Sequence, residues 1–144
     1  MNKLNRSLMT VAIGFSAFIF TISAHAQWTL TDSRTDRLGN LTSTSEKHRN
    51  GSFRMMNRQY YPETHVVMTE RVTSFDPTGN ISTIVFERRD RLNRVMYQQN
   101  EFKNNKGVWQ KFRQTITYRS DLDHTGINNA HRWDPATRTW VSAR

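Results

Sequence analysis

No cysteine occurs anywhere in the 144 residues, prolines number three, glycines six, and no long apolar run follows residue 22. Without cysteine there is no disulfide, no thiol nucleophile, no thiolate metal ligand and no lipidated amino-terminal cysteine of the bacterial lipoprotein kind. Without a second apolar run of about 20 residues, no segment past the amino terminus is a candidate spanning helix. Neither a G-x-S-x-G elbow nor an H-E-x-x-H pair is present, so the commonest hydrolase and metalloprotease signatures are missing. Acidic residues are scarce as well, 12 Asp and Glu against 21 Lys and Arg.

The apolar run that does exist opens the chain. Lys3 and Arg6 precede an almost unbroken apolar stretch over residues 8–22, and Ala24-His25-Ala26 supplies a small-x-small cleavage pattern before Gln27. That order is the signature of a secretory signal peptide, and the stretch is short for a membrane anchor. The expected product is residues 27–144, exported to the periplasm, the cell surface or the medium, with no stable membrane insertion. Residues 1–26 hold two of the 21 basic side chains and none of the 12 acidic ones, so the remainder carries 19 against 12, an excess of seven. A product of this size is one domain.

Arginine dominates the excess, since lysine recurs only at Lys47, Lys103, Lys106 and Lys111 after the leader. Guanidinium groups fork onto carboxylate, phosphate and sulfate and stack on aromatic rings. An anionic partner is one reading of this surplus. Solubility and protection of exposed strand edges is the other.

Turn residues punctuate the chain at intervals of roughly a dozen residues, the cadence of hairpins in an all-β domain. They fall at Gly39-Asn40, Asn50-Gly51, Pro62-Glu63, residues 76–80, 90–93, 104–107 and 121–126, and Asp134-Pro135. Between them, residues 108–119 alternate most clearly. Val108, Phe112, Ile116 and Tyr118 share one parity with Gln110 and Gln114; Trp109, Lys111, Arg113 and Arg119 share the other. A period of two predicts a half-buried strand with one core-like and one basic face. Residues 84–102 are ambiguous, because Val85, Leu92, Val95, Met96, Gln99 and Phe102 also fit a helical stripe. The fold predicted is all-β: an antiparallel hairpin meander of about eight or nine strands forming a sandwich, a curled sheet or a short solenoid.

The turns also repeat one another. Asp36-Arg37-Leu38-Gly39-Asn40, Asp76-Pro77-Thr78-Gly79-Asn80, Asp90-Arg91-Leu92-Asn93-Arg94 and Asp123-His124-Thr125-Gly126-Ile127 each set Asp three residues before Gly or Asn. The carboxylate closes the loop onto backbone N–H groups, and Gly or Asn takes the left-handed conformation before the next strand. This pattern resembles the D-x-x-G-[NR] hairpin repeats of Rhs/YD-repeat proteins. It resembles still more a group of small secreted proteins of Bacteroides and its relatives, whose strands end in tryptophan as at Gly107-Val108-Trp109 and Trp133–Trp140. Here Thr35, Phe75, Arg89 and Leu122 stand where those repeats carry tyrosine. The resemblance spans about residues 35–140 and implies a hairpin-built β fold with no established activity.

Residues 121–126 begin like a calcium loop, with oxygen donors at the first, third and fifth positions and glycine at the sixth, but the twelfth position is Arg132 where a bidentate glutamate is needed. His124 and His131 lack the further ligands that zinc takes. Glu70 and Glu87 make a carboxylate pair that spacing alone does not select. No metal or cofactor is expected, and no catalytic residue is assigned. The expected function is a non-enzymatic interaction or structural protein of the cell envelope. An anionic-glycan or polyanion-binding module is the second reading, and a hydrolase without a recognisable motif the third. The binding candidates are the aromatic and basic side chains Trp109, Lys111, Arg113 and Arg119, with Arg54, Arg58 and Tyr60 on another strand. Nucleic acid is a poor partner for an exported chain, so glycans, phosphorylated lipid headgroups or an envelope protein come first.

Overall fold

The computed structural model describes residues 28–143; the expected leader lies outside them. Nine strands follow one another: β1 (Trp28–Thr35), β2 (Leu41–His48), β3 (Phe53–Tyr60), β4 (Val67–Phe75), β5 (Ile81–Arg89), β6 (Val95–Lys103), β7 (Trp109–Thr117), β8 (Ile127–Asp134) and β9 (Thr139–Ser142). They pair in sequence order into a single antiparallel sheet, β1 through β9, that does not close into a barrel. The stretch that also fitted a helical stripe is β5, a turn and β6, because Asp90 and Asn93 place a tight turn at its middle. All eight connections fall at the turn signals read from the sequence.

The repeated turn has one physical design. In the β1–β2 connection Asp36 Oδ1 accepts from the N–H groups of Leu38 and Asn40, while Gly39, at φ +81°, donates to the Asp36 carbonyl. Asp76 does the same for Thr78 and Asn80, and Asp90 for Leu92 and Arg94, with Asn93 at φ +63° in the glycine's place. Asn104 closes a fourth copy, its amide oxygen accepting from Lys106 and Val108. A fifth uses His48, whose Nδ1 accepts from the Asn50 N–H. An acceptor at the first position is what the turn requires, and three residue types provide it.

Asp123 is not another copy. It ties down the long β7–β8 loop by accepting from the N–H groups of Arg119, Thr125 and Gly126. Gly126 sits at φ +64° where a Cβ would lie 2.4 Å from Ile116 Cγ2, whereas a Cβ on Gly39 meets open space. Gly126→Ala is therefore expected to destabilise by about 2–3 kcal/mol and Gly39→Ala by about 1 kcal/mol, read as a shift in urea midpoint at constant slope.

Among the described residues nothing lies over the core-like face expected on residues 108–119. Among the described residues no apolar side chain is buried, and only Asn40 and Thr44 are. Phe112 and Ile116 are half-buried. Short connections lay each strand beside its predecessor, and the substantial strand contacts are all between neighbours. The sheet is one layer, neither sandwich nor solenoid.

Lateral ties at one end of the sheet compensate in part. Asn40 Nδ2 donates to Asp36 and to the Thr64 carbonyl, and His65 bonds to Asn40 Oδ1. Tyr61 Oη donates to the Arg89 carbonyl while Arg91 lies 5.0 Å over its ring. Tyr118 Oη reaches Val95, and Arg94 stacks 4.3 Å over the Tyr118 ring.

Candidate binding surface

Residues directly opposite on antiparallel strands point to the same side, so the register assigns every strand residue to one of two faces. One face carries Arg34, Lys47, Arg71 and Arg88 on β1, β2, β4 and β5, with Lys103, Lys111 and Arg113 on β6 and β7. Its strand acids are Asp32 and Glu101 alone. The other face carries Arg54, Arg58 and Arg132, with Arg89 placed there by its ion pair to Glu87 beside a register shift, against Glu46, Glu70, Glu87 and Asp134. One side of the sheet thus has seven cations and two anions, and the other four of each. They are called the basic and the neutral face below.

On the basic face, rings alternate with cations. Phe53 stacks on Phe75 at 4.1 Å, Phe86 meets Tyr97 edge-on at 6.1 Å, and Trp133 meets Trp140 edge-on at 5.5 Å. Arg113 lies 4.4 Å over Trp140 and Lys103 5.6 Å from the Trp109 ring centre. Lys111 pairs with Glu101 at 3.2 Å. Arg71 and Arg88 are exposed and make no ion pair among the described residues. Arg71 stands directly opposite Phe86, and Arg88 opposite Tyr97. Three strand spacings separate Arg71 on β4 from Arg113 on β7 in one rung, about 14 Å.

Of the residues singled out from sequence, Trp109, Lys111 and Arg113 lie together on this face. Arg119 does not, because β7 ends at Thr117; it lines a shallow hollow of about 400 Å³ with Ser120, Asp123 and Thr125. Arg54 and Arg58 sit on the neutral face, where Arg54 pairs with Glu46 and lies 4.6 Å over Trp28, and Arg58 pairs with Glu70. Tyr60 Oη donates to the Leu41 carbonyl. Their groups serve the sheet. Arg71, Arg88, Lys103 and Trp140 are the members that sequence reading passed over. The alternation Thr69, Arg71, Thr73 marked Arg71 as facing out, but only register shows which strands share its face.

Glu70 and Glu87 prove to be direct cross-strand neighbours. Like charges in that position repel, and each has a counterion: Arg58 for Glu70, Arg89 for Glu87, with Gln98 Nε2 also donating to Glu87 at 3.0 Å. They belong to a rung continued by Gln114 Nε2 donating to Gln98, with Asn128 donating to Gln114 diagonally from the next rung. Among the described residues no three His, Asp or Glu side chains converge as a metal site needs.

Several aspartates of the turns ionise below the ordinary carboxylate range. The Asn40 side chain and backbone N–H groups hold Asp36 down, and the Thr78 hydroxyl with the Asn80 N–H holds Asp76 down. Asp123 is lowered by the N–H groups of Arg119, Gly126 and Thr125, and Asp134 by Thr137 and the Ala136 N–H. At Asp90, partial desolvation opposes the change but the Arg94 bonds and charge outweigh it. A carboxyl whose folded pKa is depressed stabilises fully above its unfolded value, about 3.9, and loses that contribution as pH falls toward the folded value. Stability is expected to be level from pH 7 to about 5 and to fall below about 4. Asp76→Asn keeps the acceptor, as Asn104 does naturally, and removes its share of that slope; a series of urea unfolding curves across pH reads both.

No family model matches the chain, and no curated protein matches it significantly.

Proposed function

We propose that this is an exported, non-enzymatic binding protein of the cell envelope and that its basic face engages an acidic glycan. The observation that carries this reading is the partition of charge: one side of the sheet sets seven cations against two acids among Phe86, Tyr97, Trp109, Trp133 and Trp140, and the other balances four cations with four acids, three of them in ion pairs. Sugar rings stack on aromatic faces, and guanidinium forks grip sulfate, phosphate or uronate. An open face with cations spaced along a rung suits a chain lying across the strands. The leader-like residues 1–26 support export, which favours glycans over nucleic acid. The D-x-x-G turns support kinship with the secreted hairpin-repeat proteins, which carry no established activity to transfer.

Retention on heparin in about 0.15 M salt tests the proposal. Wild type should bind, and Trp109→Ala and Arg113→Glu should elute earlier while staying folded. Flow-through of the wild type, or retention unchanged in both variants, would favour an uncharged protein partner instead.

A further inference from the structure

We infer that the neutral face is covered by a second copy of this chain, so that two sheets pack face to face as a sandwich. This goes beyond the glycan reading and concerns the other side of the sheet.

A sheet normally buries at least one face against a second layer, yet among the described residues no apolar side chain is buried. The neutral face is built to be covered. Register lines up Met56, Val72, Val85, Asn100, Phe112, Arg132 and Val141 in one rung across the sheet, apolar but for Asn100 and the exposed Arg132, and Phe102 stacks on Phe112 from the next. Along β3, Arg54, Met56, Arg58 and Tyr60 are half-buried while Met55, Asn57 and Gln59 on the other side are exposed. Polar groups flanking the rung are satisfied within the face, as the pairs Glu46–Arg54, Glu70–Arg58 and Glu87–Arg89 and the Gln98–Gln114 bond show. Covering this face leaves Asn100 and Arg132 to find partners on the second copy, whereas covering the basic face would strand Arg71 and Arg88 amid its surplus of cations.

Charge selects the occupant. Two neutral faces meet with no net repulsion, while two basic faces would each bring five surplus cations. Asn100 interrupts the apolar rung beside Val85 and Phe112 and makes no side-chain hydrogen bond in the sheet. An amide both donates and accepts, so across a two-fold axis it is complementary to its own copy. Area is sufficient: eight strands of eight or nine residues and a ninth of four span about 40 by 27 Å, roughly 1,000 Å² per copy, against the roughly 800 Å² per partner of a stable interface.

Sedimentation of the purified exported chain at up to ~100 μM, with no polyanion present, tests this independently of heparin retention. The expected mass is twice that of the chain. Val85→Lys, at the centre of the middle strand, should weaken association by ~100-fold or more, and Arg71→Glu on the basic face should leave it unchanged. Because the chain has no cysteine, single cysteines give a second readout that does not depend on Val85→Lys folding. A bismaleimide of about 10 Å reach, the spacing of packed sheets, should link Val85→Cys and not Thr73→Cys. A monomer at the highest concentration, a dimer indifferent to Val85→Lys as edge pairing through β1 would be, or equal linkage at both cysteines would overturn the inference.

Discussion

Arg94→Ala is expected to destabilise the protein by about 3 kcal/mol, the largest loss for any single truncation outside the strands. Arg94 is half-buried in the β5–β6 turn. Its guanidinium donates to Asp90 from Nε at 2.8 Å, and from Nη1 to the carbonyls of Ser120, Asp121 and Asp123 at 2.9, 3.1 and 2.9 Å. It also covers the Tyr118 ring. One side chain thereby joins two connections that are far apart in sequence, across the β6–β7 pair. Truncation leaves three carbonyls and a carboxylate to find water, and frees the longest loop of the sheet. Arg94→Lys keeps the charge but has no planar fork to serve several carbonyls and a carboxylate together, so it should recover less than half of the loss. Urea unfolding should show a lower midpoint with an unchanged slope. A loss below about 1 kcal/mol would mean that the β7–β8 loop is held by Asp123 alone.

How much of this was legible in the residues depends on the range of the interaction concerned. The eight connections were readable because a turn is decided locally: an acceptor at Asp36, Asp76 or Asp90, and a residue tolerant of positive φ three places on. Asn104 and His48 show that the requirement is for an acceptor, not for aspartate, so the Asp pattern by itself marks fewer turns than share the design. The strands followed from what lies between the turns, and Asp90 and Asn93 decided the segment whose apolar spacing also fitted a helix. The absence of a second layer was not readable. Phe112 and Ile116 alternate with polar neighbours whether or not anything covers them, and nothing local says that a meander will stay open. The basic face proposed for binding was half readable for the same reason. Parity within β7 grouped Trp109, Lys111 and Arg113, but parity within β3 grouped Arg54 and Arg58 without saying that register would turn them to the opposite side, beside Glu46 and Glu70. Cross-strand register is a property of pairs, and Arg71 and Arg88 became visible only through it.

That register makes the response of the basic face to charge reversal quantitative. Arg71→Glu with Arg88→Glu should lower heparin affinity by about 100-fold at low salt and reduce the slope of log affinity against log salt by about two, one for each cation that no longer displaces a counterion. Both side chains are exposed and without ion pairs, so the substitutions should leave the unfolding midpoint nearly unchanged. Arg49→Glu with Lys106→Glu changes the total charge equally, but those residues lie in the His48 and Asn104 turns at one end of the sheet, off both faces. If long-range attraction to a basic molecule were the whole effect, the two double variants would behave alike. If the polyanion lies across Phe86 and Tyr97 between the guanidinium groups, the turn pair should lose less than about 5-fold and keep the wild-type slope. Local contact and bulk charge are separated by that contrast, because screening acts on both pairs alike while only Arg71 and Arg88 stand beside aromatic rings.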